Sequence, residues 1–173
     1  MATLELNPAL LPLAFLLGPW RGEGIGEYPT IEPFHYREDV TFEHTGKPFL
    51  VYNQRTHAVE DGRPLHAETG YIRAAGDGQV EMVVAQAIGF AEISLGRVTG
   101  TRLELQSAHL TRTPSAKHVT AIARRIWLEG DALRYELAMA MSGGELAGHL
   151  AATLHRAGRR PTAPAPGPGA PSG

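Results

Sequence analysis

The segment Ala132-Leu-Arg-Tyr-Glu-Leu-Ala-Met-Ala-Met141 indicates the fold class, because its large apolar side chains recur at every second position. These side chains are Leu133, Tyr135, Leu137, Met139 and Met141. The segment Phe34-His-Tyr-Arg-Glu-Asp-Val-Thr-Phe42 alternates in the same way. A period of two is typical of a β-strand that buries one face and exposes the other. Both segments are therefore predicted to be strands.

Turn signals recur between runs of this kind. They are Thr45-Gly46-Lys47-Pro48, Glu60-Asp61-Gly62-Arg63-Pro64, Gly76-Asp77-Gly78, Glu129-Gly130-Asp131 and Gly143-Gly144. The runs between them predict about ten strands, near residues 20–27, 34–44, 49–58, 66–74, 79–87, 90–97, 102–110, 118–128, 132–141 and 146–155. This spacing favours an all-β fold, an antiparallel up-and-down barrel of about ten strands, with a β-sandwich as the alternative. Such a barrel is wide enough for one small ligand.

The two ends of the chain depart from this pattern. Before the first strand, Asn7 can cap a short helix, Pro8 suits its first position, and Gly18 ends it. At the other end, residues 157–173 contain five prolines and four glycines and are predicted to be a disordered tail. The predicted organisation is one barrel domain at residues 1–156 and a tail at 157–173.

Composition excludes several classes of function. The 173 residues include no cysteine, which excludes disulfides, thiolate catalysis, iron–sulfur clusters and zinc sites built on sulfur. A net charge of −2 argues against a protein that binds nucleic acid through its phosphates. No apolar run approaches the ~20 residues that span a bilayer. The stretch Ala9–Leu17 has no basic residue before it, unlike a signal peptide. We therefore expect a cytoplasmic protein with no membrane or nucleic-acid partner.

His149 is the strongest candidate for a ligand among eight histidines. In the segment 145–155, a period of two places Ala147, Ala151 and Thr153 on its face, so the imidazole has open space before it. A lone neutral imidazole in such a place suits the axial position of a haem iron, which needs one protein nitrogen. His155, farther along the same strand, is expected to be solvated. For any single histidine, the alternative is a surface residue or a hydrogen-bonded core residue.

Other polar residues are weaker candidates. His66 and Glu68 share a strand face, and Gln86 lies in an otherwise apolar run, where burial requires a partner or a cavity. Lys117, His118, Arg124 and Arg125 form a basic group that is expected to be a solvated face, with the binding of a cofactor carboxylate as the alternative. The alternating glycines at 22, 24 and 26 strip one strand face of side chains. They serve either packing and curvature or the close approach of a flat ligand.

A long motif adds a family resemblance. The segment Leu16-Leu-Gly-Pro-Trp-Arg-Gly-Glu-Gly-Ile-Gly-Glu-Tyr-Pro-Thr-Ile31 closely resembles the G-x-W-x-G-x-G-x-Y-P-T-I signature of the nitrobindins, which are haem-binding β-barrel proteins. The likeness continues through Phe34, Pro48-Phe49-Leu50, Arg55-Thr56, Leu65-His-Ala-Glu-Thr-Gly-Tyr71 and Gly148-His149-Leu150. It covers the whole chain except the tail.

The resemblance implies a barrel like that of fatty-acid-binding proteins and lipocalins, with one ferric haem b per chain in a cleft at one end. It implies that His149 is the axial ligand of the haem iron and thus the catalytic residue. It further implies that Thr30, Leu65, His66, Gln86 and Met139 contact the cofactor. The activity it implies is isomerisation of peroxynitrite to nitrate, with reversible binding of nitric oxide. A homodimer is one open assembly state.

Three functions stay open at this point. The first is a haem-dependent peroxynitrite isomerase. The second is a non-catalytic carrier of haem or another hydrophobic ligand, or a sensor of nitric oxide, which would share the same fold. The third is a lipocalin-like barrel that binds a fatty acid and no haem, in which His149 would be dispensable for ligand binding.

Overall fold

The structure is a computed structural model that describes residues 4–28 and 31–158. In this part of the chain it contains one helix, at Pro8–Leu16, and ten strands. The strands are β1 (Gly18–Tyr28), β2 (Ile31–His44), β3 (Phe49–Ala58), β4 (Pro64–Gly76), β5 (Gln79–Gln86), β6 (Phe90–Thr99), β7 (Arg102–Arg112), β8 (Val119–Glu129), β9 (Ala132–Met141) and β10 (Ala147–Arg156). Thr30 and the predicted tail beyond Gly158 lie outside the described residues.

The ten strands form a closed antiparallel barrel in up-and-down order, so the predicted fold class is confirmed. Each strand pairs with its neighbours in sequence, and β1 pairs with β10 from Trp20↔Arg156 to Gly26↔Leu150. Among the strands of the described residues, closure leaves no free sheet edge, which excludes the sandwich alternative. The alternating side chains of each strand point by turns into the barrel and out to solvent, so the periodicity of the sequence becomes the barrel's core and surface.

The N-terminal helix is a 3₁₀ helix rather than an α-helix. Asn7 caps it as predicted, since its side chain accepts a hydrogen bond from the Ala9 amide at 3.0 Å. Pro12 lies inside the helix, has no N–H to donate and would collide with the preceding turn of an α-helix. The chain therefore takes the tighter winding, in which residues three apart align. Among the described residues, no helix is long and apolar enough to cross a membrane.

This helix closes one end of the barrel. Its three-residue period aligns the three fully buried leucines Leu10, Leu13 and Leu16, and the helix packs against β4 and β6. The Trp20 indole N–H donates to the Leu16 carbonyl at 2.7 Å. The Arg156 guanidinium lies 4.1 Å from the centre of the Trp20 ring. The helix is thus held in place by both the first and the last strand, and the opposite end of the barrel is its mouth.

The alternating glycines of β1 serve packing. A Cβ atom on Gly24 would lie 2.5 Å from the Tyr36 hydroxyl oxygen and 2.6 Å from the Ala151 carbonyl oxygen. A Cβ atom on Gly26 would collide with the Phe34 ring. The bare strand face is therefore covered by aromatic rings of the neighbouring strand, and this favours the packing interpretation of the motif over the approach of a flat ligand.

Candidate functional site

The structure brings five predicted site residues to the mouth of the barrel. In an antiparallel barrel, β1, β3, β5, β7 and β9 all end where the following strands begin. Leu65 and His66 begin β4, Gln86 ends β5, Met139 lies near the end of β9, and His149 lies near the start of β10. The sixth predicted residue, Thr30, lies outside the described residues.

His149 is held by a backbone carbonyl. Its Nδ1 lies 2.9 Å from the Glu27 carbonyl oxygen, and its ring meets the Tyr28 ring edge-on with the centroids 5.7 Å apart. A carbonyl oxygen only accepts hydrogen bonds, so Nδ1 carries the proton in this contact. In the neutral imidazole, Nε2 then carries the free lone pair. This is the arrangement by which proteins commonly orient a histidine toward a metal.

The strand that carries His149 is less regular than its sequence predicts. The register between β10 and β9 shifts between Gly148 and Leu150, so His149 lies at an irregularity of the strand. The strict alternation of residues 145–155 therefore does not hold, and Leu146 precedes β10 and is exposed. Such bulges re-aim a side chain and are frequent at barrel rims beside functional sites. His155, beyond the irregularity, is exposed as expected.

An open cavity of about 670 Å³ lies beside His149 on the outer face of the barrel, because Ile25, Arg125, Glu136 and Ala151 in its lining all point out to solvent. Small residues contribute to its wall, in agreement with the expected open space, and they include Ala123, Ala138, Gly148 and Ala151. Arg125 and Glu136 also line it, and both side chains are exposed. Leu65, His66, Gln86 and Met139 are not part of its lining. The structure thus places these four residues at the same barrel end as His149 but not in the same cavity.

Apolar side chains of intermediate burial occur at the mouth. They are packed against the core on one side only, and they are Phe34, Leu65, Leu110, Met139, Met141 and Leu150. A ring of partly covered apolar side chains around an open end is suited to a flat, apolar ligand. Within the described residues, no group of three or more His, Asp or Glu is arranged to hold a bare metal ion.

Beneath the mouth, the barrel contains a buried ion cluster centred on Arg124. The guanidinium donates to both carboxylate oxygens of Glu68, at 2.9 and 3.1 Å, and to both of Glu92, at 3.2 and 2.7 Å. Its fifth N–H donates to the Tyr135 hydroxyl at 3.2 Å. All five donors of the arginine are therefore used, which is what a buried charge requires.

The prediction of a solvated basic face is wrong for one of its four residues, Arg124. Lys117, His118 and Arg125 are exposed as expected, but Arg124 is only 1% exposed. The reason is strand periodicity, because Arg124 shares the inward face of β8 with Ile122 and Ile126.

Glu68 links the ion cluster to the mouth. One carboxylate oxygen accepts from Arg124 and from the Tyr52 hydroxyl at 3.0 Å, and the other accepts from Arg124 and lies 3.2 Å from His66 Nε2. Burial alone would raise the pKa of Glu68, but the Arg124 charge and the hydrogen bonds from His66 and Arg124 outweigh it and lower the pKa to about 2. Glu68 is therefore ionised at neutral pH.

Gln86 has the partner that its burial requires. Its amide nitrogen donates to Glu92 at 3.1 Å, and the Ser94 hydroxyl donates to the same carboxylate at 2.5 Å. Glu92 is not among the site residues predicted from the sequence. The alternation along β6 could have identified it, because Glu92 and Ser94 lie on the same inward face of the strand as Phe90.

Glu38 is a second buried carboxyl inside the barrel, and it is incompletely bonded. Gln54 donates to one of its oxygens at 2.6 Å, while Oε2 has no hydrogen-bond partner in the described part of the chain. The neighbouring Tyr36 hydroxyl is likewise buried without a partner. Burial raises the pKa of Glu38 to about 7, with a smaller opposing effect of the Gln54 hydrogen bond.

Comparison with known proteins places this chain in a family. A family model described as a THAP4-like, heme-binding beta-barrel domain matches residues 9–156. Peroxynitrite isomerase 1 of Mycolicibacterium paratuberculosis is 51% identical over 156 residues, which cover 88% of this chain and 97% of that protein. Peroxynitrite isomerase 2 of Mycobacterium marinum is also 51% identical, with the same coverage.

A solved structure agrees with the sequence comparison. The crystal structure of Rv2717c from M. tuberculosis superimposes with a TM-score of 0.82 at 50% identity, and the match covers 88% of this chain and 99% of that one. The motif resemblance is thereby confirmed, and the chain belongs to the family of THAP4-like, heme-binding β-barrel domains.

Proposed function

We propose that this protein is a haem-dependent peroxynitrite isomerase that binds one ferric haem b through His149 and also binds nitric oxide reversibly. The observation that carries the proposal is the hydrogen bond from His149 Nδ1 to the Glu27 carbonyl. It leaves Nε2 as the donor atom for the iron and holds the ring against rotation. Relatives at about half identity over most of their length carry the name peroxynitrite isomerase, which supports the reaction.

The residues at the mouth fit the cofactor. Haem requires a single nitrogen donor and an apolar surface for the porphyrin, and the mouth offers His149 together with partly buried apolar side chains such as Phe34, Leu110 and Met141. The cavity beside His149 lies on the outer face of the barrel and is lined largely by exposed side chains, so the support for haem comes from the mouth residues and not from this cavity.

The side chains around the proposed haem site have different roles. When bound, ferric haem supplies a Lewis-acidic iron that polarises the peroxynitrite O–O bond. His149 would hold the iron, and Leu65 and Met139 would provide apolar surface that limits the access of water. Thr30, His66 and Gln86 complete the proposed contacts. The Gln86 amide nitrogen already donates to Glu92, so this side chain is oriented before any ligand arrives.

The reaction requires little acid–base catalysis from the protein. Peroxynitrite and nitrate contain the same atoms and carry the same charge, so isomerisation requires no net proton or electron. The chain therefore needs to bind, orient and shield the reacting group rather than to donate a proton to it. A cytoplasmic location, the lack of nucleic-acid and membrane partners, and a homodimer as one open assembly state stay predictions of the sequence.

An absorption titration tests the cofactor assignment. Ferric haem is added to the wild-type protein, to His149→Ala and to His155→Ala, the matched control on the exposed end of the same strand. We expect a sharp Soret band with the wild type and the control, and broad absorption of unligated haem with His149→Ala. A band that is unchanged in His149→Ala would contradict the assigned ligand.

Rapid-mixing kinetics then test turnover. The haem-loaded wild type is expected to accelerate the decay of peroxynitrite and to yield nitrate, and the protein without haem is expected to do neither. Decay at the same rate with and without the haem-loaded protein would leave a haem carrier as the function.

A further inference from the structure

The two mouth histidines are bonded through opposite ring nitrogens. His149 uses Nδ1 toward a backbone carbonyl, whereas His66 uses Nε2 toward the Glu68 carboxylate at 3.2 Å. His66 is mostly buried, with a side chain that is 20% exposed, and it lies on the same inward face of β4 as Glu68, one step nearer the mouth. Its Nδ1 has no hydrogen-bond partner in the described part of the chain.

The contacts of Glu68 decide which atom of this pair carries the proton. A carboxylate accepts about four hydrogen bonds. Arg124 supplies two of them, the Tyr52 hydroxyl supplies the third, and His66 Nε2 occupies the fourth. Because the bidentate pairing with Arg124 keeps Glu68 ionised, it has no proton to give, and His66 Nε2 must be the donor.

We propose that Glu68 is a positioning residue that fixes the uncharged form of His66 with its proton on Nε2, so that this form presents Nδ1 as a hydrogen-bond acceptor at the mouth. This inference deepens the proposed function, since it rests on the mouth being the haem site. An acceptor on this side favours ligands that carry a proton, such as water, a hydroxyl group or a protonated oxyanion. Between the two protonation states of an oxyanion such as peroxynitrite, it favours the protonated form at this position, because the bare anion would meet a lone pair instead of a donor.

The Arg124 cluster contains a matched control for this proposal. Glu92 pairs with the same guanidinium, is equally buried and also accepts four hydrogen bonds, from Gln86, Ser94 and Arg124. It makes no contact with His66. Glu68→Gln and Glu92→Gln therefore remove the same charge from the same arginine, and only the former changes the partner of His66.

The test is the tautomer of His66, measured by long-range ¹H–¹⁵N correlation spectra of the full-length protein without haem. The His66→Asn variant identifies the resonances of His66 by their loss. We expect the Nε2–H tautomer in the wild type and in Glu92→Gln. In Glu68→Gln the ratio of Nε2–H to Nδ1–H should fall by about tenfold or more, because a neutral amide replaces a charge-assisted acceptor and can itself donate. Glu68→Asp, which keeps the charge, should restore the wild-type preference.

Two results would overturn the inference. One is the Nδ1–H tautomer in the wild-type protein, a measurement that does not depend on any variant folding. The other is an equal change in Glu68→Gln and Glu92→Gln, which would mean that loss of charge in the cluster acts generally. Neither result depends on haem, so failure of the tautomer is distinguishable from failure of His149 to give a Soret band.

Discussion

Glu38 is predicted to make this protein less stable as the pH rises toward neutrality. Its pKa stands at about 7 in the folded protein, against an ordinary value of 4.5, because the carboxyl is buried. A carboxyl whose pKa is raised by folding stabilises the folded state fully below about pH 4.5. That contribution is lost as the pH rises through about 7, and it does not change further above that. The substitution that removes this dependence is Glu38→Gln.

The magnitude follows from the two pKa values. Each unit of difference corresponds to about 1.4 kcal/mol, so the change from 4.5 to about 7 is worth about 3 kcal/mol. A glutamine keeps the oxygen that accepts from Gln54 but cannot ionise. We therefore expect Glu38→Gln to match the wild type near pH 4.5 and to exceed its free energy of unfolding by up to about 3 kcal/mol at pH 8.

Urea unfolding at a series of pH values, followed by tryptophan fluorescence, measures this difference. Glu43→Gln is the matched control, because Glu43 lies on the same strand but is exposed. Other ionisable groups also shape each profile, so the informative quantity is the difference between wild type and variant at each pH. A difference that is the same at pH 5 and pH 8, or one that also occurs in Glu43→Gln, would refute the reasoning.

Three further predictions concern the fold. Gly24→Ala should destabilise the protein by about 1–3 kcal/mol, since its Cβ would overlap an aromatic ring and a backbone oxygen. Gly148→Ala should have little effect, because nothing lies within 4 Å of the added Cβ. Equal effects of the two substitutions in thermal unfolding would be inconsistent with the packing role of the glycine motif. Leu13→Ala should lower the free energy of unfolding by about 2–5 kcal/mol, because Leu13 is fully buried. Leu11→Ala should lower it little, because Leu11 is exposed. An unchanged melting temperature in Leu13→Ala would mean that the helix does not seal the barrel. The contribution of ionised Glu68 to the free energy of unfolding should be lost progressively as the pH falls from about 4.5 toward 2. In Glu68→Gln, the free energy of unfolding should therefore fall less steeply with decreasing pH over this range. An equally steep fall in wild type and variant would contradict the lowered pKa.

The barrel could be predicted because its signals are local. Alternation along segments such as Ala132–Met141, and glycine-rich turns between them, specify strands and reversals independently of what lies across the barrel. The helix was predicted as an element but not as a 3₁₀ helix. That outcome follows from Pro12 together with the need to place three leucines on one face against the barrel end.

The candidate site was predictable only in part. His149 stood out through its small neighbours, and Gln86 through its need for a partner. The irregularity at His149 was not predicted, because it arises from the register between β10 and β9 and not from β10 alone. The Glu27 carbonyl that orients the ring is contributed by β1, 122 residues away in the sequence.

The amino-acid sequence alone indicates that the chain is all-β, where its strands and reversals lie, and which strand faces are apolar, because these properties depend on residues close together in the chain. The sequence favours a barrel but leaves a sandwich open, and the pairing of β1 with β10 settles the closure. That Arg124 is a buried cation rather than part of a solvated basic face follows from the closed barrel and not from the local sequence. Its partners Glu68 and Glu92 lie 56 and 32 residues away and meet it only across the closed barrel. A buried charge is tolerated only where opposite charges and hydrogen bonds converge on it, and convergence across a barrel is a property of closure and register that no local pattern contains.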